Sequence, residues 1–273
     1  MTGIDGTLLD FKSLDLLADG DTALHRLDPR AKVLATVVFV ICVVSCGRYE
    51  LAALFPFFLF PVFMIALGNI PPLYLAKKIA VVIPFAVMVG MFNPLLDRQV
   101  MLHVGELEVT GGWISFASIV VRAVLTVSSA LVLVAVTGFP GVCAALESLG
   151  MPQPFAVQLL FLYRYIFVLA EEGGQMARAR ELRTFGARGR GLRVYGSLIG
   201  HLLLRTWMRA ERIHMAMLAR GFSGTFHTRR RPCFGLREVV FLLGWSIFFI
   251  TARLVPVVHL LGTLVSRVVI SYS

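Results

Sequence analysis

Five apolar runs of near-membrane length, at roughly 33–48, 51–70, 79–96, 113–137 and 236–253, leave this 273-residue chain few folds to choose from. A transmembrane helix needs about 20 mostly apolar residues, and lipid demands that backbone amides be satisfied within the segment. The runs therefore predict an all-α, polytopic membrane protein of about five transmembrane helices. Composition agrees, with 58% hydrophobic residues and a mean hydropathy of +0.81, above the range of soluble domains. The first 30 residues carry Asp5, Asp10, Asp15, Asp19, Asp21 and Asp28, not a basic leader ahead of an apolar core. No signal peptide is expected, and the N-terminus is expected in the cytoplasm.

Charge patterning sets the expected topology, because Lys and Arg near span ends prefer the cytoplasm. Arg26, Arg30 and Lys32 precede the first run, and Lys77 and Lys78 fall between the second and third. The alternate loops hold Arg48 with Glu50, and Asp97, Arg98, Glu106 and Glu108. Four crossings return the chain to the cytoplasm near residue 138, where an arginine-rich stretch begins. The expected division is a cytoplasmic N-terminal segment over 1–32, transmembrane helices 1–4 over 33–138, a cytoplasmic helical region over 139–232, and helix 5 with a C-terminal apolar segment over 233–273. Arg253 is expected to snorkel to the outer interface, and a sixth crossing beyond Pro256 stays open. Arg122 lies inside the fourth run, where an ionisable side chain is either functional or internally paired.

The net charge of +10 is almost entirely arginine, since Lys12, Lys32, Lys77 and Lys78 are the only lysines. Arginine suits planar, multi-donor recognition of carboxylate or phosphate. Flanking spans disfavour nucleic acid, which leaves anionic membrane lipids and an acidic protein partner. Cys42, Cys46, Cys143 and Cys233 lack zinc-type spacing, and the six histidines are scattered, so neither a metal site nor a disulfide framework is expected.

Within the basic region, Val142, Leu146 and Leu149 recur at helical spacing after a break at Gly138, as in an interfacial amphipathic helix. A long helix is predicted from about Ala156 to Thr184, apolar and aromatic first, then charged from Glu171 and Glu172 to Arg183. A helix pair, about 192–204 and 205–220, follows a Gly- and Arg-rich break and ends at Gly221, the position favoured for a left-handed cap. Arg183 and Arg220 thus sit in last turns, where the macrodipole favours a cation.

Three passages resemble the transmembrane (T) component of energy-coupling factor transporters, most closely the cobalt-type CbiQ group. They are Leu27-Asp28-Pro29-Arg30-Ala31-Lys32, Tyr163-Arg164-Tyr165 with Glu171-Glu172 leading through Met176 to Phe185, and Ala216 through Gly224. The resemblance implies two Ala-Arg-Gly signatures at the ends of coupling helices, whose arginines dock on a cytoplasmic ATPase dimer. The second signature is intact as Ala219, Arg220 and Gly221. The first departs from the pattern: the register of Glu171 and Glu172 gives Leu182, Arg183 and Thr184, while a literal Ala187-Arg188-Gly189 follows, so Arg183 and Arg188 compete for the role.

The resemblance further implies a non-catalytic subunit without a cofactor or metal of its own, ATP and Mg being bound by the ATPases. It would sit as a multi-pass protein in the cell inner membrane beside a metal-specific, CbiM-like substrate-binding subunit. Trp207, Met208, Ile213 and Met217 are expected on the helix faces that carry motion to that subunit. Cobalt is the substrate the resemblance favours, with nickel or a vitamin as alternatives. A membrane enzyme acting on lipid phosphates is the rival from another class, but the basic region offers no clustered Asp or His as general base or metal ligand.

Overall fold

The computed structural model describes residues 17–18, 20–47, 49–96, 100–104, 107–183, 192–224 and 235–254. Helices are α1 (Pro29–Ser45), α2 (Leu59–Gly68), α3 (Pro72–Gly90), α5 (Gly111–Thr137), α6 (Phe139–Ser148), α7 (Gln153–Arg183), α8 (Leu192–Ala219) and α9 (Leu236–Leu254), with a single turn, α4, at Asn93–Leu96. The described residues form two compact units, one of residues 17–138 with 235–254 and one of residues 139–224.

The all-α reading holds for the spans. One addition is an antiparallel hairpin of β1 (Val100–Val104) and β2 (Leu107–Thr110), with His103 opposite Glu108 and Val104 opposite Leu107. The segment has the β-branched content of strands, in Val100, Val104, Val109 and Thr110, but sequence reading took it as a charged loop.

Local chemistry sets the helix boundaries. Pro29 opens α1, and Asp28 caps it by accepting the Arg30 amide at 2.9 Å, the two devices favoured at an N-terminus. The second run is broken into a 3-10 segment, Ala52–Phe58, and α2, with Pro56 inside the break; proline has no amide to donate and its ring crowds the preceding turn, so it kinks or breaks an α-helix. Pro72 starts α3 earlier than the run at 79–96 predicts. Lys77 and Lys78 consequently lie in its second turn and not in a loop.

Among the described residues, α3, α5 and α7 are long and apolar enough to cross a membrane by length and composition. Helix α7 lies in the stretch read from sequence as cytoplasmic. Helix α1 has 17 residues, the second run is divided between the 3-10 segment and the 10-residue α2, and α9 carries Arg237, Glu238 and Arg253, so these three expected spans are shorter, broken or more charged than α3 and α5. Residues 255–273, on which a sixth crossing depends, lie outside the described residues.

The first unit is centred on an aromatic nucleus. Phe39 of α1 lies 4.8 Å from Phe60 and 5.3 Å from Phe249, ring centre to ring centre, and Trp245 of α9 lies 5.0 Å from Phe60. Such pairs contribute about 0.5–1.5 kcal/mol each beyond area. Helix α5 packs through small residues: Ser115, Ser118, Ser128 and Ser129 are buried, and a Cβ on Gly90 of α3 would fall 2.8 Å from Phe116. Close approach through Gly and Ser is how helices associate where lipid supplies no hydrophobic drive. Ser128 and Ser129 donate to the carbonyls of Leu125 and Thr126 in their own helix, which satisfies these two buried hydroxyls.

Two arginines close the far end of α1. Arg122 of α5 donates to the Gly47 carbonyl, while Arg253 of α9 donates to the Ser45 carbonyl and the Glu50 carboxylate, each at 2.9 Å. Cations at a helix C-terminus satisfy orphan carbonyls and oppose the dipole. Arg122 is therefore internally paired, and Arg253 bonds inward instead of only snorkelling. The Gly47 amide and the Arg253 guanidinium hold the Glu50 carboxyl below its usual range.

Candidate functional site

The arginine-rich helices belong to the second unit. Phe139 of α6 stacks on Tyr163 of α7 at 4.6 Å, and Tyr163 meets Phe167 edge-on at 5.2 Å. Past this aromatic step α7 turns polar and ends at Arg183. Helix α8 is one continuous helix of 28 residues, not the pair divided at 204 and 205 that sequence predicted. Nothing between Leu203 and Thr206 breaks a helix, and Thr206 returns its hydroxyl to the Leu202 carbonyl at 2.6 Å.

The end of α8 is built by backbone geometry. The Gly221 amide donates to Leu218 and the Phe222 amide to Met217, both at 3.0 Å, with Gly221 at φ +77°. This paired closure needs a left-handed residue after the cap, and glycine takes that conformation without a Cβ clash. The residue it places at the helix end is Arg220, which is exposed. The order Ala219, Arg220, Gly221 thus has a mechanical meaning: last helical residue, projecting cation, reversal.

Arg183 ends α7 with an exposed side chain, and Leu182 beside it is 81% exposed. Thr184 and Arg188 lie outside the described residues, so Arg183 and Arg188 remain alternatives. The four residues expected on partner-contact faces divide. Ile213 and Met217 line a groove of about 580 Å³ against α7, together with Leu162 and Ile166. Met208 lines a second groove of about 470 Å³, and Trp207 is 73% exposed.

Sequence reading did not single out Arg209. It reaches Glu172 across the two helices at 2.5 Å. Glu172 was visible as a helix-pairing charge, but pairing rules within one helix reach only three or four residues and could not find a partner 37 positions away. The passage Leu27 through Lys32 folds in the first unit. Lys32 is 1% exposed, with its ammonium 3.4 Å from the His25 carbonyl and 3.5 Å from that of Val136. Burial lowers its pKa to about 8, against the opposing pull of Asp28. No group of three or more His, Cys, Asp or Glu that could hold a metal occurs among the described residues.

A multi-pass helical membrane protein carrying two long, arginine-ended helices is the class these features define. The chain belongs to the cobalt transport protein family CbiQ, whose profile matches residues 20–232. It is 29% identical to an uncharacterised protein of Methanocaldococcus jannaschii over 242 residues, covering 85% of this chain and 82% of that one. It is similar to the energy-coupling factor transporter transmembrane proteins EcfT of Bacillus subtilis, 24% identical over 80% of this chain and 87% of the relative, and of Leuconostoc gelidum, 26% identical over 86% and 94%.

Proposed function

We propose that this chain is the T component of an ATP-driven, energy-coupling-factor importer, transmitting the closure of two cytoplasmic ATPases to a separate substrate-binding membrane subunit that takes up cobalt. The observation that carries the reading is the end of α8, where a glycine-built closure presents Arg220 beyond a helix 28 residues long. A guanidinium fork in a carboxylate-lined groove fixes direction as well as distance. Arg183 of α7, or Arg188 after it, supplies the second anchor. Two anchors on separate helices turn relative movement of the ATPases into relative movement of α7 and α8. The apolar and methionine-bearing faces carry that movement to the substrate-binding subunit, methionine being suited to surfaces that repack.

In this reading the chain itself catalyses nothing and holds no cofactor; ATP and Mg are bound by the ATPases. The N-terminus and both arginine ends face the cytoplasm, in agreement with the bias of Lys and Arg toward that side. The test is purification of the full chain from membranes in mild detergent, with identification of the attached proteins, alongside uptake of radioactive cobalt(II). Two ATPases and a small polytopic metal-binding protein are expected. Uptake of nickel or a vitamin in place of cobalt would correct the substrate alone. Hydrolysis of lipid phosphates by the purified chain, with no ATPase attached, would overturn the reading.

A further inference from the structure

Helices α7 and α8 meet at a narrow waist. There a Cβ on Gly173 would lie 3.7 Å from the Leu202 side chain, and next to it stands the ion pair of Glu172 and Arg209. To one side the helices part around the 580 Å³ groove, which Arg209 helps to line. To the other they part around the 470 Å³ groove, which Glu172 lines with Met176, His201 and Arg205. The grooves leave the side chains on either side incompletely packed against each other.

From this arrangement we propose that Glu172 and Arg209 form the pin of the helix pair, the contact that fixes the level at which α7 crosses α8. The inference rests on the T-component reading, because a pin matters only if force enters at the helix ends. The physical case has two parts. Sliding is resisted by ridges seated in grooves, and a glycine facing a leucine side chain between two open grooves leaves that resistance weak. The ion pair opposes that slide directionally: the Glu172 side chain is 21% exposed and that of Arg209 37%, so the charges are partly withdrawn from water and interact more strongly than a rim pair. With the pin in place, force on one arginine end rotates its helix about the waist. Without it, the same force is lost in translation along the groove. Arg205, one turn before Arg209, lines the groove of Glu172 but does not form the pin.

The test uses the full-length chain co-expressed with its ATPases and substrate-binding subunit. Glu172→Arg and Arg209→Glu should each lower uptake of radioactive cobalt(II) by about fivefold with ATPase copurification unchanged, and the double reversal should recover uptake to within about twofold of the parent. Arg205→Gln should leave uptake at the parent level. A double reversal no better than the poorer single variant overturns the pin, as does an Arg205→Gln loss equal to that of Arg209→Glu. Loss of the single variants from the membrane, or of their bound ATPases, would mean that the pair only supports folding and would also overturn it.

If the parent chain retains no ATPase or takes up no cobalt, the functional reading fails separately. The pin is then judged on spin-label distances in the full chain, with native cysteines replaced and labels at the exposed Leu162 and Met215. The distance distribution should broaden in each single variant and narrow again in the double reversal. Equal widths in all four proteins would overturn the proposal.

Discussion

The two units use the same residue type to opposite ends. In the first unit, Arg122 and Arg253 turn inward to close the end of α1, and Lys32 is buried against backbone carbonyls. In the second, Ala156 is the one buried residue of α7, none of the described side chains of α8 is buried, and Arg183 and Arg220 stand exposed at the helix ends. Charge in the first unit completes a fold. At the helix ends of the second it is left exposed, which is what a surface built to meet another macromolecule requires.

The contrast can be broken most directly at Arg220. Arg220→Glu is expected to reduce ATP-dependent uptake by on the order of 100-fold and to release the ATPases, while thermal unfolding in detergent stays at the parent value. Arg220→Lys should recover uptake only in part, because lysine is a point charge. Unchanged uptake by the Glu variant would remove the distinction between the units. The reverse pattern is expected at Phe39. Phe39→Ala empties the aromatic nucleus and should cost about 3 kcal/mol of stability, measured by detergent unfolding, with ATPase binding retained in whatever fraction stays folded.

Lys32 sharpens the comparison through pH. Its folded pKa of about 8 lies below the ordinary value of 10.5, so between these values the unfolded chain binds more protons than the folded one. Stability should therefore rise as pH increases from 8 to 10.5, and the burial penalty should be fully present below pH 8. The gain is at most roughly 3 kcal/mol. Lys32→Met should flatten that rise in an unfolding series over the same interval. The smallest effect is expected for Gly221→Ala, which forces a side chain into a left-handed conformation and should cost about 1 kcal/mol. Its signature is faster amide hydrogen exchange confined to the end of α8.

What the sequence made legible was chemistry that acts over one helical turn. Pro29 and Asp28 mark the start of α1, and Gly221 marks the end of α8, because caps are written in adjacent residues. The distant partners were not legible. Arg122 could be read as functional or as paired, but its acceptor at Gly47 lies 75 positions away and is a backbone carbonyl, which no side-chain pattern encodes. Glu172 and Arg209 are separated by the last third of α7, residues 184–191 and more than half of α8. The division of α8 at residues 204 and 205 fails for another reason: the Leu-rich stretch gives way to an Arg-rich one there, but the backbone helix runs straight through. Helix α7 makes the same change without interruption.

The lack of buried side chains among the described residues of α8 has a consequence for the life of the protein in the cell. Helix stability comes mainly from packing an apolar face, and the described side chains of α8 leave theirs unburied. If the chain is the T component proposed above, a copy made in excess of its associates keeps Trp207 and Met208 within reach of housekeeping proteases and chaperones, and its abundance should follow how much of the assembly is produced more than its own rate of synthesis.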